Sequence, residues 1–422
     1  MNSDNRRNLL LKNATFLLLA QGSNYIVPLI TLPVLVTRLQ PQGFGVIAFA
    51  QAVSIYIQLL ADYGFSISAT RHVAIHASSP TAKLRDYVST IHACKGLLVL
   101  IASIIALPIL YLWSGGGEAF VAGLLMMGSA VGNALTPLWY YQGVNRMRTV
   151  AVATAASKWA GAVAILLFVR APTDMLFVAC AYSVPPLLVA LACTISLDCA
   201  GIFKFKAIDF HAMRNEMRIG APYFLISAGT GVLANSGVIV LGVFYPTSVV
   251  GIYAAAEKIV KAAVGCIAPI SQSVYPLNAE RFGESTSSGF RSVRQTALWL
   301  LCPAVAGTAI LFLIAPWGLG LLHWVDPLYL QIIRYLCPWI VLGVINNVLG
   351  IQILSAMGRG KVYARAFFIA ACSTLILMFS LTPSWGGVGI VFGMVAGEFI
   401  LMILLLWSIR SIVSGIDFHW FK

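Results

Sequence analysis

The sequence predicts an all-α polytopic membrane protein of about twelve transmembrane helices, in two pseudo-symmetric six-helix lobes around a central cationic cavity. Three observations predict it. The residues are 59% hydrophobic and 10% charged, where a soluble domain carries about 25% charged residues. Mean hydropathy is +0.88, and the apolar residues gather into runs of the roughly 20 residues that cross a bilayer. The basic residues crowd every second connection between these runs and are nearly missing from the others.

Taken in order, the runs are 13–37, 43–62, 88–112, 119–141, 149–169, 174–196, 219–244, 249–275, 295–316, 329–354, 363–382 and 386–409. The first is full length, and no cleavage-site pattern follows a short apolar core, so an uncleaved first span is expected. Tyr245-Pro246-Thr247-Ser248 separates the seventh run from the eighth, and Thr382-Pro383-Ser384-Trp385-Gly386-Gly387 the last two. Both are turn chemistry. An even number of spans divides the chain into an N-terminal six-helix lobe, 1–200, and a C-terminal one, 201–422.

Charge placement orients the spans. Arg6, Arg7 and Lys12 precede the first. Arg71, Lys83, Arg85 and Lys95 lie at the second connection, and Arg146, Arg148 and Lys158 are grouped with the fourth. Lys204, Lys206, Arg214, Arg218, Arg281, Arg291, Arg294, Arg359, Lys361, Arg365, Arg410 and Lys422 continue on the same side, against only Arg38 and Arg170 on the other. This bias predicts two cytoplasmic termini in a multi-pass inner-membrane protein. It also accounts for most of the net charge of +13, so nucleic acid is not an expected partner.

The connections exclude several functions. Those facing outward are short, with no room for the catalytic domain of a membrane glycan polymerase or ligase. The inward ones are too short for a nucleotide-binding fold, and no G-x-x-x-x-G-K occurs. An enzyme is not expected; a secondary transporter is. The eight cysteines contain no C-x-x-C and read as small apolar residues of the spans, not as a disulfide or metal framework. His72, His76 and His92 are too scattered for a metal site, and no cofactor is expected.

One stretch breaks the apolar rule. Gly251-Ile-Tyr-Ala-Ala-Ala-Glu257-Lys258-Ile-Val-Lys261-Ala-Ala-Val-Gly265 puts three charges inside the run 249–275. Lys258 lies about 14 Å and Lys261 about 18 Å from its start at ~1.5 Å per residue. A charge at that depth costs at least ~2.5–3.5 kcal/mol unless it faces a bundle interior or a watered cavity.

The stretch has a counterpart. Pro41-Gln-Gly-Phe-Gly45-Val-Ile-Ala-Phe-Ala-Gln51 aligns with Thr247-Ser-Val-Val-Gly251-Ile-Tyr-Ala-Ala-Ala-Glu257, about half the chain later. A weaker echo pairs Gln142-Gly143-Val-Asn-Arg146 with Met357-Gly358-Arg359-Gly-Lys361. Six spans per half make the repeats parallel and put Gln51 in the place of Glu257. Chance likeness among Ala/Gly-rich helices is the alternative.

Several segments resemble Wzx-type flippases of the polysaccharide-transport branch of the multidrug/oligosaccharidyl-lipid/polysaccharide exporter superfamily. They are Asn24-Tyr25-Ile-Val-Pro28-Leu-Ile-Thr-Leu-Pro33-Val-Leu-Val-Thr37-Arg38-Leu39, Gly43-Phe44-Gly45, Asp62-Tyr63-Gly64-Phe65 through Arg71, Trp139-Tyr-Tyr-Gln142-Gly143, Gly251 through Lys258, and Leu354-Ser-Ala-Met-Gly358-Arg359. The resemblance spans essentially the whole chain; Gln40-Pro41 departs from the usual Leu-Gly. It implies translocation of undecaprenyl-diphosphate-linked O-antigen or related repeat units across the bacterial inner membrane. Bilayer lipid, a polysaccharide polymerase and a chain-length regulator are the implied partners. A peptidoglycan-precursor flippase and a drug/cation antiporter of the same superfamily are the alternatives.

Such a substrate needs a wet, cationic, hydrogen-bonding groove. Lys258 and Lys261 are the first candidates for its diphosphate, although Glu257 and Lys261, at i and i+4, also suit a simple ion pair. Arg334 suits phosphate or a sugar carboxylate, or snorkels outward. Arg38 ends the first span and admits the same two readings, with the resemblance favouring the lumen. Asn24 and Gln51, with Asn133, Asn235, Asn346 and Asn347, suit sugar hydroxyls or interhelical bonds. Glu257, Glu398 and Asp62 are candidates to carry a coupling proton or sodium ion; Asp62 also suits a pair with Arg71. Pro28 and Pro33 are expected to kink the first helix as a gate.

Overall fold

The computed structural model describes residues 3–76, 81–204, 209–265 and 267–413; Lys206, Cys266 and Lys422 lie outside them. The described residues form helices and connections, with no strand among them. Among the described residues, eight stretches are long and apolar enough to cross a bilayer. The outward surface is apolar in keeping with a lipid solvent, with Leu112, Trp299, Trp317 and Leu321 all exposed. The chain is an all-α polytopic membrane protein. It divides into two compact units, Met1–Asn235 and Ser236–Lys422.

The N-terminal unit begins with α1 (Ser3–Asp62), which is two helices meeting at Gln40, φ 59° and ψ 168°. A left-handed φ at a residue bearing a side chain marks a real break, and Pro41, lacking an N–H, begins the second half. Pro28 and Pro33 do not interrupt the helical φ/ψ of the described residues. Thr31 sits between them and donates its hydroxyl to the Val27 and Pro28 carbonyls at 3.0 and 3.3 Å.

Helix α2 (Phe65–His76) follows a turn at Gly64, φ 77°, where an added Cβ would lie 2.6 Å from the Tyr223 side chain and 2.8 Å from a backbone nitrogen. Helix α3 (Thr81–Ser114) and α4 (Gly117–Leu135) come next. The expected run 119–141 is broken at Thr136-Pro137, since proline cannot continue the ladder, and α5 (Leu138–Gly143) resumes it. The Trp139-Tyr140-Tyr141 segment of α5 is buried. Thr70 on α2 donates to the Trp139 carbonyl at 3.2 Å, and a Cβ at Gly143 would meet Val73 at 2.6 Å. That motif is a docking site for α2, and its glycine is a packing requirement.

Helices α6 (Met147–Phe168) and α7 (Met175–Cys199) complete the wall around α1 and α4. Close approach is set by small residues. A Cβ at Gly132 on α4 would lie 2.5 Å from the Pro186 carbonyl carbon on α7, and one at Gly161 on α6 2.5 Å from the Ala181 carbonyl oxygen. Gly96 on α3 has open space around it. Gly96→Ala is expected to stabilise the protein by about 0.5–1 kcal/mol through helix propensity alone, read as a rise in unfolding temperature in detergent.

Helix α8 (Phe210–Phe244) ends at Tyr245-Pro246, and α9 (Thr247–Gly265) succeeds it. The expected continuous run 249–275 is corrected here. Helix α9 stops at Gly265, and α10 (Ala268–Glu284) starts with Pro269 in its first turn. The Arg281 guanidinium beside Glu284, with the Ser288 hydroxyl, holds that exposed carboxyl below the usual carboxylate range. Helix α11 (Thr286–Leu321) is capped by Ser285 and α12 (Pro327–Asn347) by Asp326. The tenth run then changes type, with Val348–Ser355 forming a π-helix. Finally α13 (Gly360–Val413) is two helices meeting at Gly386, φ 56°. There the Tyr245 hydroxyl donates to the Pro383 carbonyl at 3.1 Å.

Candidate functional site

Prolines build the polar centre of the N-terminal unit. Pro28 has no N–H for the Asn24 carbonyl one turn earlier, and Pro185 and Pro186 on α7 likewise deprive the Ala181 and Tyr182 carbonyls. These freed acceptors flank a cavity of about 320 Å³ between α1, α4, α6 and α7. Its polar lining is Ser23, Asn24, Gln51, Gln58, Ser129, Asn133, Ser157, Lys158 and Tyr182. Three of the polar residues expected to meet sugar hydroxyls, Asn24, Gln51 and Asn133, thus come together, beside Pro28.

Lys158 is the centre of that group. Grouping it with the inner connections is an error the structure corrects: it lies in the middle of α6, and its Nζ donates to Asn24 Oδ1. The neighbouring Trp159 Nε1 donates to Ser23 Oγ at 3.3 Å, so α6 is fixed to α1 by two adjacent residues. No acid lines the cavity, and Lys158 is its one formal charge among the described residues. Ser129 and Ser157 donate to carbonyls of their own helices at 2.7 and 2.9 Å, and Asn133 Nδ2 to the Ser129 carbonyl at 2.8 Å. Their oxygens keep acceptor capacity. Lys158, Gln58, Tyr182 and the Pro185-Pro186 pair escape a reading of the sequence by hydropathy and charge. The available signal was a lysine at the midpoint of an apolar run, with a proline pair in the next one.

The other N-terminal candidates lie apart from the cavity lining. Asp62 pairs with Lys95 at 3.3 Å, not with Arg71. Lys95 is a buried member of α3 and so, like Lys158, is a helix residue. Arg38 is exposed, two residues before the break at Gln40, and Pro33 is half-buried.

In the C-terminal unit, α9 presents its three charges unequally. Glu257 is buried and accepts both the Tyr253 hydroxyl at 3.0 Å and Lys261 Nζ at 3.1 Å. Lys258 is half-buried on the same helix. Glu257, Lys258 and Lys261 together sum to one positive charge. Where the repeat aligns Gln51 with Glu257, the neutral partner lines a cavity and the acid is locked in an ion pair.

Glu398 on α13 has a neutral partner. Asn346 Nδ2 donates to its Oε2 at 2.6 Å and to its backbone carbonyl at 2.9 Å. Asn346 Oδ1 is buried without a hydrogen bond. Asn347 belongs to a separate network beside the π-helix. Ser271 donates to Asn347 Oδ1 at 2.6 Å, Gln352 Nε2 to Ser271 Oγ at 3.0 Å, and Asn278 Nδ2 to Gln352 Oε1 at 2.9 Å. This is the interhelical use of carboxamides. Asn235 instead bonds within its own helix, donating to the Gly231 carbonyl at 2.9 Å. The Arg334 guanidinium carbon stacks 4.9 Å from the Phe312 ring centroid, and its Nε has no hydrogen bond. No cluster of three or more His, Cys, Asp or Glu suited to a metal occurs among the described residues.

Residues 10–282 match the family model described as polysaccharide biosynthesis protein, well over half of the chain. An Escherichia coli (strain K12) relative, provisionally named an O-antigen transporter, is 25% identical over 404 residues, covering 95% of this chain and 96% of that one. Among solved structures, lipid II flippase MurJ in an inward closed conformation is similar at a TM-score of 0.74 and 13% identity, over 93% of this chain and 87% of that one. An inward-facing MATE-family multidrug resistance transporter of the MOP superfamily is similar at 0.58 and 15% identity, over 96% of both chains. At these identities the likeness to the solved structures is one of fold.

Proposed function

The chain belongs to the polysaccharide biosynthesis protein family, and from that premise we propose that it is a flippase for lipid-linked polysaccharide repeat units. It carries an undecaprenyl-diphosphate-linked unit, of O-antigen or a related surface polysaccharide, from the cytoplasmic to the periplasmic leaflet of the inner membrane. The observation that carries this reading is the N-terminal cavity, where one amine is set among carboxamides and hydroxyls with no acid in the lining. Such a lining suits an anionic, many-hydroxylated head. It disfavours a cationic drug, which Lys158 would repel.

The prenyl tail stays in lipid, so the protein need only shelter the head. The diphosphate is assigned to the charged face of α9, where Lys258 and Lys261 exceed Glu257 by one charge. Arg334 and Arg38 are further phosphate contacts under this reading. A proton or sodium gradient drives the cycle by alternating access. Glu398 is the first choice for the coupling ion because its hydrogen-bond partner is neutral, whereas Glu257 and Asp62 already face Lys261 and Lys95. A polymerase and a chain-length regulator receive the delivered unit.

A strain lacking its own flippase for a matched repeat unit tests the reading. The wild-type chain is expected to restore surface polysaccharide; failure with every repeat unit tried, at normal membrane expression, overturns it. In the same strain Lys258→Ala is expected to abolish export while Lys258→Arg retains part of it. Normal export by Lys258→Ala would remove the diphosphate assignment.

A further inference from the structure

The N-terminal cavity is more particular than a flippase alone requires. We propose that it is the subsite for one acidic sugar of the repeat unit, with Lys158 pairing with that sugar's carboxylate. The inference rests on the flippase reading for the ligand's origin, and on the cavity itself for its chemistry.

Size comes first. About 320 Å³ lies at the small end of the ~300–1,000 Å³ range of ligand pockets, enough for a sugar ring. Charge comes second. The lining offers one amine and no acid, and the amine's partner is the neutral Asn24 Oδ1, so its charge is not cancelled there. A single carboxylate matches it. A diphosphate, with about two charges, would leave one uncompensated in a half-enclosed site.

Hydrogen-bond polarity separates the two ligands, because a diphosphate brings no donor whereas an acidic sugar brings ring hydroxyls beside its carboxylate. Phosphate oxygens only accept. The lining carries acceptors: the Asn24 and Tyr182 carbonyls, which proline leaves without their in-helix donor, and the serine and asparagine oxygens that remain after their own donations. Those groups repel phosphate and suit sugar hydroxyls, which donate as well as accept. Lys158 then fixes the ring orientation as a point charge, and Asn24 holds the amine at the α1 wall until the carboxylate replaces it.

Two probes that differ in one residue test this: an undecaprenyl-diphosphate-linked disaccharide ending in glucuronic acid, and the same ending in glucose. Equilibrium binding of the free disaccharides to the purified full chain decides the inference; transport of the lipid-linked forms in proteoliposomes decides the flippase reading. The wild type is expected to bind the acidic disaccharide about tenfold more tightly, the factor of one good charged contact. Lys158→Met is expected to erase that preference, bringing the affinity for the acidic disaccharide down to that for the neutral one, and Lys158→Arg to keep most of it. Asn24→Asp retains the lysine but neutralises it in place, so it covers the case in which Lys158→Met fails to fold, and it too is expected to erase the preference. Equal binding of both disaccharides by the wild type, binding of neither, or a preference that survives both Lys158→Met and Asn24→Asp overturns the inference. Transport of neither lipid-linked probe, with the binding preference intact, counts against the flippase reading alone.

Discussion

Glu257→Ala is expected to deplete folded protein from the membrane, and Glu257→Ala with Lys261→Ala to restore it. Glu257 is buried and accepts from both the Tyr253 hydroxyl and Lys261. Removing the acid leaves an ammonium and a fully buried phenol without the acceptor they share. Breaking a buried pair costs about 3–5 kcal/mol, and Lys261, whose side chain is 30% exposed, places this case near the lower end. Removing both charges leaves the Tyr253 hydroxyl with its weaker contact to Met394 Sδ at 3.4 Å, a smaller cost of at most about 1–3 kcal/mol. Fluorescence-detected size exclusion after mild solubilisation reads the folded fraction. Export separates the two roles: the double variant keeps Lys258 and so the net charge of the α9 group, and is expected to retain most export. If the double variant folds but exports nothing, Lys261 itself contacts the substrate. If Glu257→Ala alone folds normally, the ion pair contributes little.

The second large effect is steric. Gly132→Leu is expected to prevent α4 from seating on α7. Even the Cβ of Gly132→Ala would lie 2.5 Å from the Pro186 carbonyl carbon and 2.6 Å from the Leu187 nitrogen, and backbone atoms cannot rotate aside. Overpacking of this kind costs about 1–3 kcal/mol when side chains yield, and more here because two helix axes must part. Because Pro186 lines the cavity, the same displacement widens the proposed sugar subsite. Gly132→Ala is therefore expected to lower both the unfolding temperature and export, and Gly132→Leu to leave little folded protein. Thermal unfolding of the purified variants, with Gly96→Ala as the helix-propensity control, measures the difference. An unchanged unfolding temperature for Gly132→Ala would show that the contact relaxes freely.

Hydropathy made the helices legible and their interruptions only partly so. Apolar length marks a span whatever its neighbours do, but whether Pro137 or Pro269 ends a helix depends on what satisfies the freed carbonyls. Pro28 and Pro33 show the other outcome, with helical φ/ψ kept and Thr31 bonding between them. The π turn at 348–355 has no composition of its own to announce it. The cavity was legible in parts. Asn24, Gln51, Asn133 and Pro28 stood out as polar or helix-breaking groups in apolar runs. Lys158 was hidden by its proximity to Arg146 and Arg148, which made it look like part of a basic connection. The Glu257–Lys261 contact was foreshadowed by i, i+4 spacing alone. The Asp62–Lys95 and Asn346–Glu398 contacts join distant helices, and no local spacing encodes them.

The π-helix makes chain length itself a structural variable. A π turn is an α-helix holding one residue too many, and the surplus here is recorded by a backbone bond that reaches back five residues, from Ala356 N to the Ile351 carbonyl at 3.3 Å. Deleting one residue among 348–351 would let the segment relax to 3.6 residues per turn. It would also rotate the residues beyond the deletion by about 100°, carrying Gln352 away from Ser271 and Asn278. The deletion would thus improve local backbone geometry and dismantle the carboxamide network in the same stroke. Any single-residue gap in a relative at this segment therefore reports on that network, even where every aligned side chain is the same.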